Sequence, residues 1–248
     1  MIIFKVTAMF DKLMILEKVA KLSIEEIIDL VKKVKVDEKI RRELLNALNY
    51  YDYLNPMQKR FLGGLLIDLK IYPRVIDFLG FGRDNVKIEG LYEVGDCTCI
   101  YSKGSLIMNI EKIGSSALAY SSNSAIINVR KADDFILASS NEGLAYKVGS
   151  IGRYAFFNAN NVVAAVGRVE QIYDPKSGVI IASEIGEVIF EVNKPENVKI
   201  ITTKVFRGKE YVTLVDKDKL EPINSLSWKS IEDLRRQIQK FASKILYN

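Results

Sequence analysis

The middle of the chain is built from a 19-residue repeat. The three clearest copies begin at Ile100, Ala119 and Ala138, and each places an apolar run after a polar turn. The copies span 100–110, 119–129 and 138–148, with a looser copy at 157–166 and a last one at 182–192. A short fixed period is typical of repeat architectures. It therefore constrains the shape of the protein far more than its chemistry.

Two β architectures fit this period. In a β-solenoid each repeat is one coil, and equivalent residues stack about 4.8 Å apart in parallel ladders. In a propeller-like or meander sheet each repeat is a hairpin, which favours a doubled period. Successive repeats match equally well here, as in the columns Ser102, Ser121, Ser140 and Ile110, Val129, Val148. We therefore favour the solenoid and keep the propeller-like or meander sheet as the alternative, followed by a sandwich.

Helical signals surround the repeats, so the predicted class is α+β. We divide the chain into a small helical bundle (1–82), a repeat all-β domain (83–222) and an amphipathic C-terminal helix (223–248). The bundle is predicted from apolar residues at helical spacing and from capping residues. Its helices are expected over 8–22, after Ser23, after Asp37, at Asn55-Pro56 and after Pro73.

The segments after the repeats suggest how the solenoid ends. Residues 199–206 and 210–215 flank Arg207-Gly208-Lys209 and predict a hairpin. Residues 171–178 look like a six-residue insertion that forms a loop. The C-terminal helix has an apolar stripe that includes Ile238 and Phe241, and we expect it to cover an open end of the repeats. A self-association seam through the same two residues is the alternative.

Composition restricts the possible chemistry. The chain has no histidine, which removes the commonest acid–base catalyst and metal ligand, and it has two cysteines. Its net charge of +5 is modest and spread along the chain, so it does not by itself indicate nucleic-acid binding. No apolar run is long enough to span a bilayer. We predict a soluble, cytoplasmic protein with a thermophile-like composition and no cofactor.

Three small clusters are candidate sites. Cys97 and Cys99 are spaced as half of a zinc site that two subunits could share, although buried thiols are the simpler interpretation. Asp133 and Asp134 follow Lys131 and could act on a carbohydrate or other anionic polymer. Three tyrosines suitable for a protein interface stand together before the fourth predicted helix: Tyr50, Tyr51 and Tyr53.

These patterns favour a non-enzymatic scaffold or protein-interaction module, with a protein partner or self-association. The alternative is an enzyme or binder that acts on a carbohydrate or another anionic polymer. A further alternative is nucleic-acid binding through the N-terminal helices, where the short helices after Ser23 and Asp37 have the outline of a helix-turn-helix.

Overall fold

A computed structural model describes residues 14–70 and 75–247, and it confirms the predicted α+β class with a parallel β-solenoid. The helices are α1 (Met14–Val19), α2 (Ile24–Lys33), α3 (Glu38–Leu48), α4 (Pro56–Leu66), α5 (Lys217–Leu220) and α6 (Ile231–Tyr247). The strands are β1 (Lys87–Glu89), β2 (Glu93–Val94), β3 (Leu106–Ile113), β4 (Ala125–Ala132), β5 (Leu144–Ile151), β6 (Val162–Tyr173), β7 (Gly178–Ile189), β8 (Val198–Arg207) and β9 (Thr213–Leu214).

The helices of the bundle begin where their capping residues predict. Ser23 and Glu26 form a reciprocal capping box before α2, and Asp37 accepts a hydrogen bond from the backbone N–H of Ile40 at 2.8 Å. Asn55 caps α4 in the same way as Ser23 caps α2. α4 contacts each of α1, α2 and α3, so it forms the centre of the bundle. The first thirteen residues, which include the start of the helix predicted over 8–22, lie outside the described chain.

The repeats stack as solenoid coils in the predicted register. Leu106 pairs with Ala125 and Ala125 with Leu144, always in parallel and always with the equivalent residue of the next repeat. The column of Ile110, Val129 and Val148 is present as predicted. We number the coils 76–94, 95–113, 114–132, 133–151 and 152–169 from the first to the fifth, because the last residue of each pairs with the last residue of the next. Each repeat is therefore a coil and not a hairpin.

Two hydrophobic cores explain why the strands lack simple alternation. Ile107, Ile126 and Ala145 point into the solenoid and join the core of the helical bundle. Their neighbours on the other face, such as Ile127 and Tyr146, form a second core with the C-terminal segment. Strands that are buried on both faces have apolar residues at successive positions instead of at alternate ones.

Two successive coils in the second half of the solenoid are shorter than the repeat predicts. A bulge after Tyr146 changes the pairing so that Ile151 meets Val169, and Val169 then pairs with Ile185. Both of these steps along the chain are shorter than the one from Ala132 to Ile151 in the regular coils. The period is thus lost in the second half of the solenoid although the parallel stacking continues.

Two predictions for this irregular part are consequently wrong. The insertion predicted at 171–178 is absent, since residues 171–173 complete β6 and residues 174–177 form only a short corner before β7. The last copy of the repeat, at 182–192, is out of register with the earlier ones, because Ala182 pairs with Val166. Both errors follow from extending a strict period into coils that have shortened.

Two glycines attach the bundle to the first coil. A Cβ atom on Gly63 would lie 2.5 Å from the carbonyl oxygen of Phe78, and one on Gly64 would lie 2.7 Å from that of Phe81. The N–H of Gly80 donates to the carbonyl of Gly63 at 3.0 Å. Glycine lets the two backbones touch. The fifth helix was predicted from Pro73, which is outside the described residues, and 77–82 form turns of the first coil instead.

The predicted C-terminal hairpin is wrong. β9 runs parallel to β8, pairing Ile201 with Thr213 and Thr202 with Leu214. Gly208 adopts a left-handed conformation (φ 82°) before a short 3₁₀ turn, and the ring of Tyr211 in that turn packs 5.1 Å from that of Phe190. The chain thereby keeps the direction of the coils instead of reversing as a hairpin would.

The C-terminal helix covers a sheet face and not an open end. Leu234, Ile238 and Ala242 of α6 are buried against the outer sheet face, which consists of residues such as Ile127, Tyr146, Val163, Ile181 and Ile201. Tyr146 donates from its hydroxyl to the carbonyl of Ile223 at 3.0 Å. The sequence showed correctly that the stripe of α6 is buried, but the surface that buries it is the side of the solenoid.

Candidate binding surface

A bend in successive strands forms an open groove on the solenoid. Gly90, Asn109, Asn128 and Lys147 occupy the same position in four consecutive coils, and all have positive φ, between 51° and 73°. A left-handed residue inside a strand kinks it, and asparagine and glycine tolerate this conformation best. We call the resulting cavity of about 710 Å³ the bend groove. Its lining is Gly90, Leu91, Tyr92, Asn109, Ile110, Glu111, Asn128, Val129, Arg130, Lys147 and Gly149.

A column of side-chain amides runs beside this groove. Asn128 Nδ2 donates to Asn109 Oδ1 at 2.7 Å, and Asn109 Nδ2 donates to Glu89 Oε1 at 2.9 Å. The hydrogen bond from Lys87, followed by that from Asn109, holds the pKa of the Glu89 carboxyl below its ordinary value. The amides are thus held in fixed orientations along the solenoid axis. Because an amide both donates and accepts, the column can hydrogen-bond to peptide groups as well as to hydroxyls.

Exposed cations and one aromatic ring border the bend groove. The guanidinium of Arg130 pairs with Glu111, but its side chain is 79% exposed whereas that of Glu111 is 33% exposed. Lys147 is also exposed, with its ammonium 5.5 Å from the ring centre of Tyr146. The ring of Tyr92 is 77% exposed. The accessible charge at the rim is therefore mainly positive, which favours acidic ligands.

The predicted carboxylate cluster is divided between two roles. Asp133 forms ion pairs with Lys131, at 3.2 Å, and with Lys112, at 3.9 Å. Asp134 Oδ1 instead accepts a hydrogen bond from the backbone N–H of Arg153 in the next coil, at 2.7 Å. The structure therefore brings Asp133 and Lys131 together and uses one oxygen of Asp134 to hold a corner of the solenoid.

The two thiols lie in the turns of the second coil and not on a strand. Cys99 is fully buried, and burial raises its pKa to about 12, against a smaller opposing effect of the hydrogen bond from Ser105. Cys97 is half-buried, and burial followed by the charge of Asp96 raises its pKa to about 11. No group of three or more potential metal ligands occurs within residues 14–70 and 75–247.

We predict that both thiols react slowly with iodoacetamide at about pH 8, because the thiolate is the nucleophile and both groups stay protonated. An unfolded thiol ionises near 9.0, so the unfolded chain loses these protons first and the free energy of unfolding falls as the pH rises from there towards 12. Mass spectrometry of labelled protein, with and without guanidinium, measures the difference. Equal labelling under both conditions would contradict the prediction.

The residues proposed for interactions occupy different environments. Tyr50 and Tyr53 are exposed, by 59% and 88%, whereas Tyr51 is 3% exposed and donates from its hydroxyl to the carbonyl of Asp77 at 3.0 Å. Ile238 is fully buried between α6 and the sheet, and Phe241 is half-buried in the same core. Only the outer two tyrosines of the predicted patch are thus open to a partner.

Sequence reasoning did not identify the residues of the bend groove. The signal was present in the 19-residue step from Gly90 through Asn109 and Asn128 to Lys147. Glycine and asparagine recurring in the middle of apolar runs indicate a left-handed residue, but Lys147 at the fourth position does not, and the sequence analysis did not follow this column.

In comparisons with known proteins, no family model, no curated protein and no solved structure matched the chain. Within the part of the chain that the structure describes, no helix is both long and apolar enough to cross a membrane.

Proposed function

We propose that the protein is a non-enzymatic interaction scaffold whose bend groove binds an acidic segment of a protein partner. The observation that carries this proposal is the fixed amide column of Asn109 and Asn128 beside the exposed cations Arg130 and Lys147. The amides supply hydrogen bonds to a main chain, and the cations supply attraction for acidic side chains. Parallel coils provide a rigid support for both.

The other charged groups support binding over catalysis. Many are engaged in ion pairs that connect one coil to the next, such as Arg153 with Glu170 at 2.8 Å and Lys204 with Glu184 at 3.4 Å. The thiols have raised pKa values, so they are weak nucleophiles at neutral pH. These groups are arranged to hold neighbouring coils together, which is the expected use of charge in a scaffold.

Selection of a phage-displayed library of linear peptides on the full chain tests the proposal. We expect acidic peptides to be enriched, and the double variant Arg130→Gln/Lys147→Gln to bind them at least about tenfold more weakly. The matched control, Lys240→Gln/Lys244→Gln, removes the same charge from α6 and should bind normally. Fluorescence anisotropy with a selected peptide gives the affinities.

Two results would overturn the proposal. One is that no peptide is enriched on the folded chain. The other is that the groove variant and the α6 control bind a selected peptide equally well, which would place binding elsewhere.

A further inference from the structure

The turn face of the solenoid carries aromatic rings stacked along its axis. This face consists of the turns between the strands, at 96–105, 115–124, 134–143 and 153–161. The rings of Tyr101 and Tyr120 are stacked with centres 5.1 Å apart and planes 16° apart. The rings of Phe135 and Tyr154 are stacked at 4.7 Å and 8°. Each pair joins consecutive coils, and the two pairs occupy different columns.

Serine interrupts both stacks at the boundary between the third and fourth coils. Tyr101, Tyr120 and Ser139 have the same place in their coils and the same left-handed backbone, with φ of 57°, 53° and 50°. In the neighbouring column the corresponding order is Ser116, Phe135 and Tyr154. Within the described coils, no ring therefore continues the first stack beyond Tyr120 or precedes Phe135 in the second.

Each of these two rings has one face in a stack and the other face open. Tyr120 is 56% exposed and Phe135 is 37% exposed. Tyr120 belongs to the third coil and stacks on the second, whereas Phe135 belongs to the fourth coil and stacks on the fifth. The open face of Tyr120 is consequently turned towards the fourth coil and that of Phe135 towards the third, so both lie at the same coil boundary.

A carboxylate and two hydroxyls belong to the same turns as the open rings. Asp134, the residue before Phe135, accepts from the N–H of Arg153 at 2.7 Å with its Oδ1, which leaves its second oxygen for other donors. Ser116 and Ser139 are both partly exposed in the two columns. Arg153 is itself paired with Glu170 at 2.8 Å, so the carboxylate of Asp134 can repel anionic ligands and accept hydrogen bonds from ligand hydroxyls.

We propose that Tyr120 and Phe135 form two adjacent subsites for the pyranose rings of a neutral oligosaccharide. A pyranose has a flat face of C–H bonds, which suits the negative face of an aromatic ring, and a rim of hydroxyls, which suits the carboxylate of Asp134. One sugar ring would extend the Tyr101–Tyr120 stack over Ser139, and the next would extend the Phe135–Tyr154 stack over Ser116. The site shares no residue with the bend groove.

Variants that test this site can be chosen by exchanging a residue for the one that occupies the same position in another coil. Ser139→Tyr and Ser116→Phe each add a ring at a position where the same column already holds one, so they fill the open faces without removing a contact. Tyr120→Ser and Phe135→Ser make the opposite change. Tyr53→Ser, at an exposed tyrosine of the helical bundle, is the control for loss of a surface ring.

The probes are cello-, manno- and chito-oligosaccharides, with a sulfated oligosaccharide as the anionic comparison, measured by isothermal titration calorimetry on the full chain. We expect at least one neutral probe to bind, and both filling variants and both serine variants to weaken it by about tenfold. Circular dichroism melting should show that the filling variants stay folded. Tyr53→Ser and the groove variant Arg130→Gln/Lys147→Gln should bind the same neutral oligosaccharide as tightly as the unmodified chain does.

Four results would overturn this proposal. The first is that none of the neutral probes binds, and the second is that binding is unchanged when Ser139→Tyr and Ser116→Phe close the ring faces. The third is that only the sulfated probe binds, in a salt-dependent manner that the groove variant abolishes. An aromatic peptide that binds at Tyr120 in place of every sugar would likewise assign the ring faces to a protein partner.

Discussion

Replacing Gly178 with alanine should destabilise the solenoid more than any surface substitution. Gly178 begins β7 with φ of 134°, a conformation that is essentially confined to glycine. A Cβ atom there would overlap the carbonyl oxygen of Val162 and approach its nitrogen to 2.8 Å. Both atoms are backbone, so neither can move aside without disrupting the pairing of β6 with β7. We expect a loss of at least about 3 kcal/mol in the free energy of unfolding.

Urea denaturation followed by circular dichroism measures this loss. Gly90→Ala is the matched control, because Gly90 also has a positive φ, of 73°, but a Cβ atom there would meet nothing within 4 Å. Gly90→Ala should lower the free energy of unfolding only by the strain of a left-handed alanine, about 1–2 kcal/mol. If Gly178→Ala and Gly90→Ala lowered the free energy of unfolding equally, the close approach to Val162 would not contribute to the effect of Gly178→Ala.

Ile238→Asp should detach α6 from the solenoid. Ile238 is fully buried in the second core, where aspartate would be an unpaired charge in apolar surroundings. We expect a loss of about 3–5 kcal/mol, followed by aggregation as residues such as Ile127 and Ile181 become exposed. A chain that lacks residues 227–248 should expose the same face and aggregate in the same way.

Thermal unfolding and light scattering test this second expectation. Lys240→Asp introduces the same side chain on the exposed side of the same helix and should leave the protein monomeric. A shortened chain that remained folded and free of aggregates would show that the outer sheet face does not need α6.

The sequence predicted those features of the fold that depend on local or strictly periodic signals. The caps at Ser23, Asp37 and Asn55 are local chemistry, and the solenoid follows from the regular step of the repeat. The first shortened coil was missed because the bulge after Tyr146 has no local signature, and the second because the short corner before Gly178 resembles the other polar turns. The course of the chain after Arg207 was mistaken because a glycine between two strands is equally compatible with a reversal and with a coil corner.

The candidate binding residues were harder to predict for a similar reason. A stripe such as Leu234, Ile238 and Phe241 shows that a helix face is buried, but it does not show which surface buries it. Asp134 was predicted to be a catalytic or ligand-binding carboxylate because the backbone N–H that it holds belongs to the next coil and is distant along the chain. The asparagines of the bend groove gave no such indication, since their importance comes from a backbone bend that only the stacked coils reveal.

The corners of the solenoid have a consequence for misfolding. Asp77, Asp96 and Asp134 each accept a hydrogen bond from the backbone of the following coil, and the glycine beside that backbone is nearly in contact with the carboxylate. Because these coils share the same corner, a strand could pair with a coil that is not its proper neighbour. Such mispairing could occur within one molecule, or between two molecules during synthesis. The steps from Val162 to Gly178 and from Gly178 to Val198 both differ from the regular step, so these strands do not match the register of the regular coils. The departures from the repeat thus protect the chain against the errors that the repeat itself makes possible.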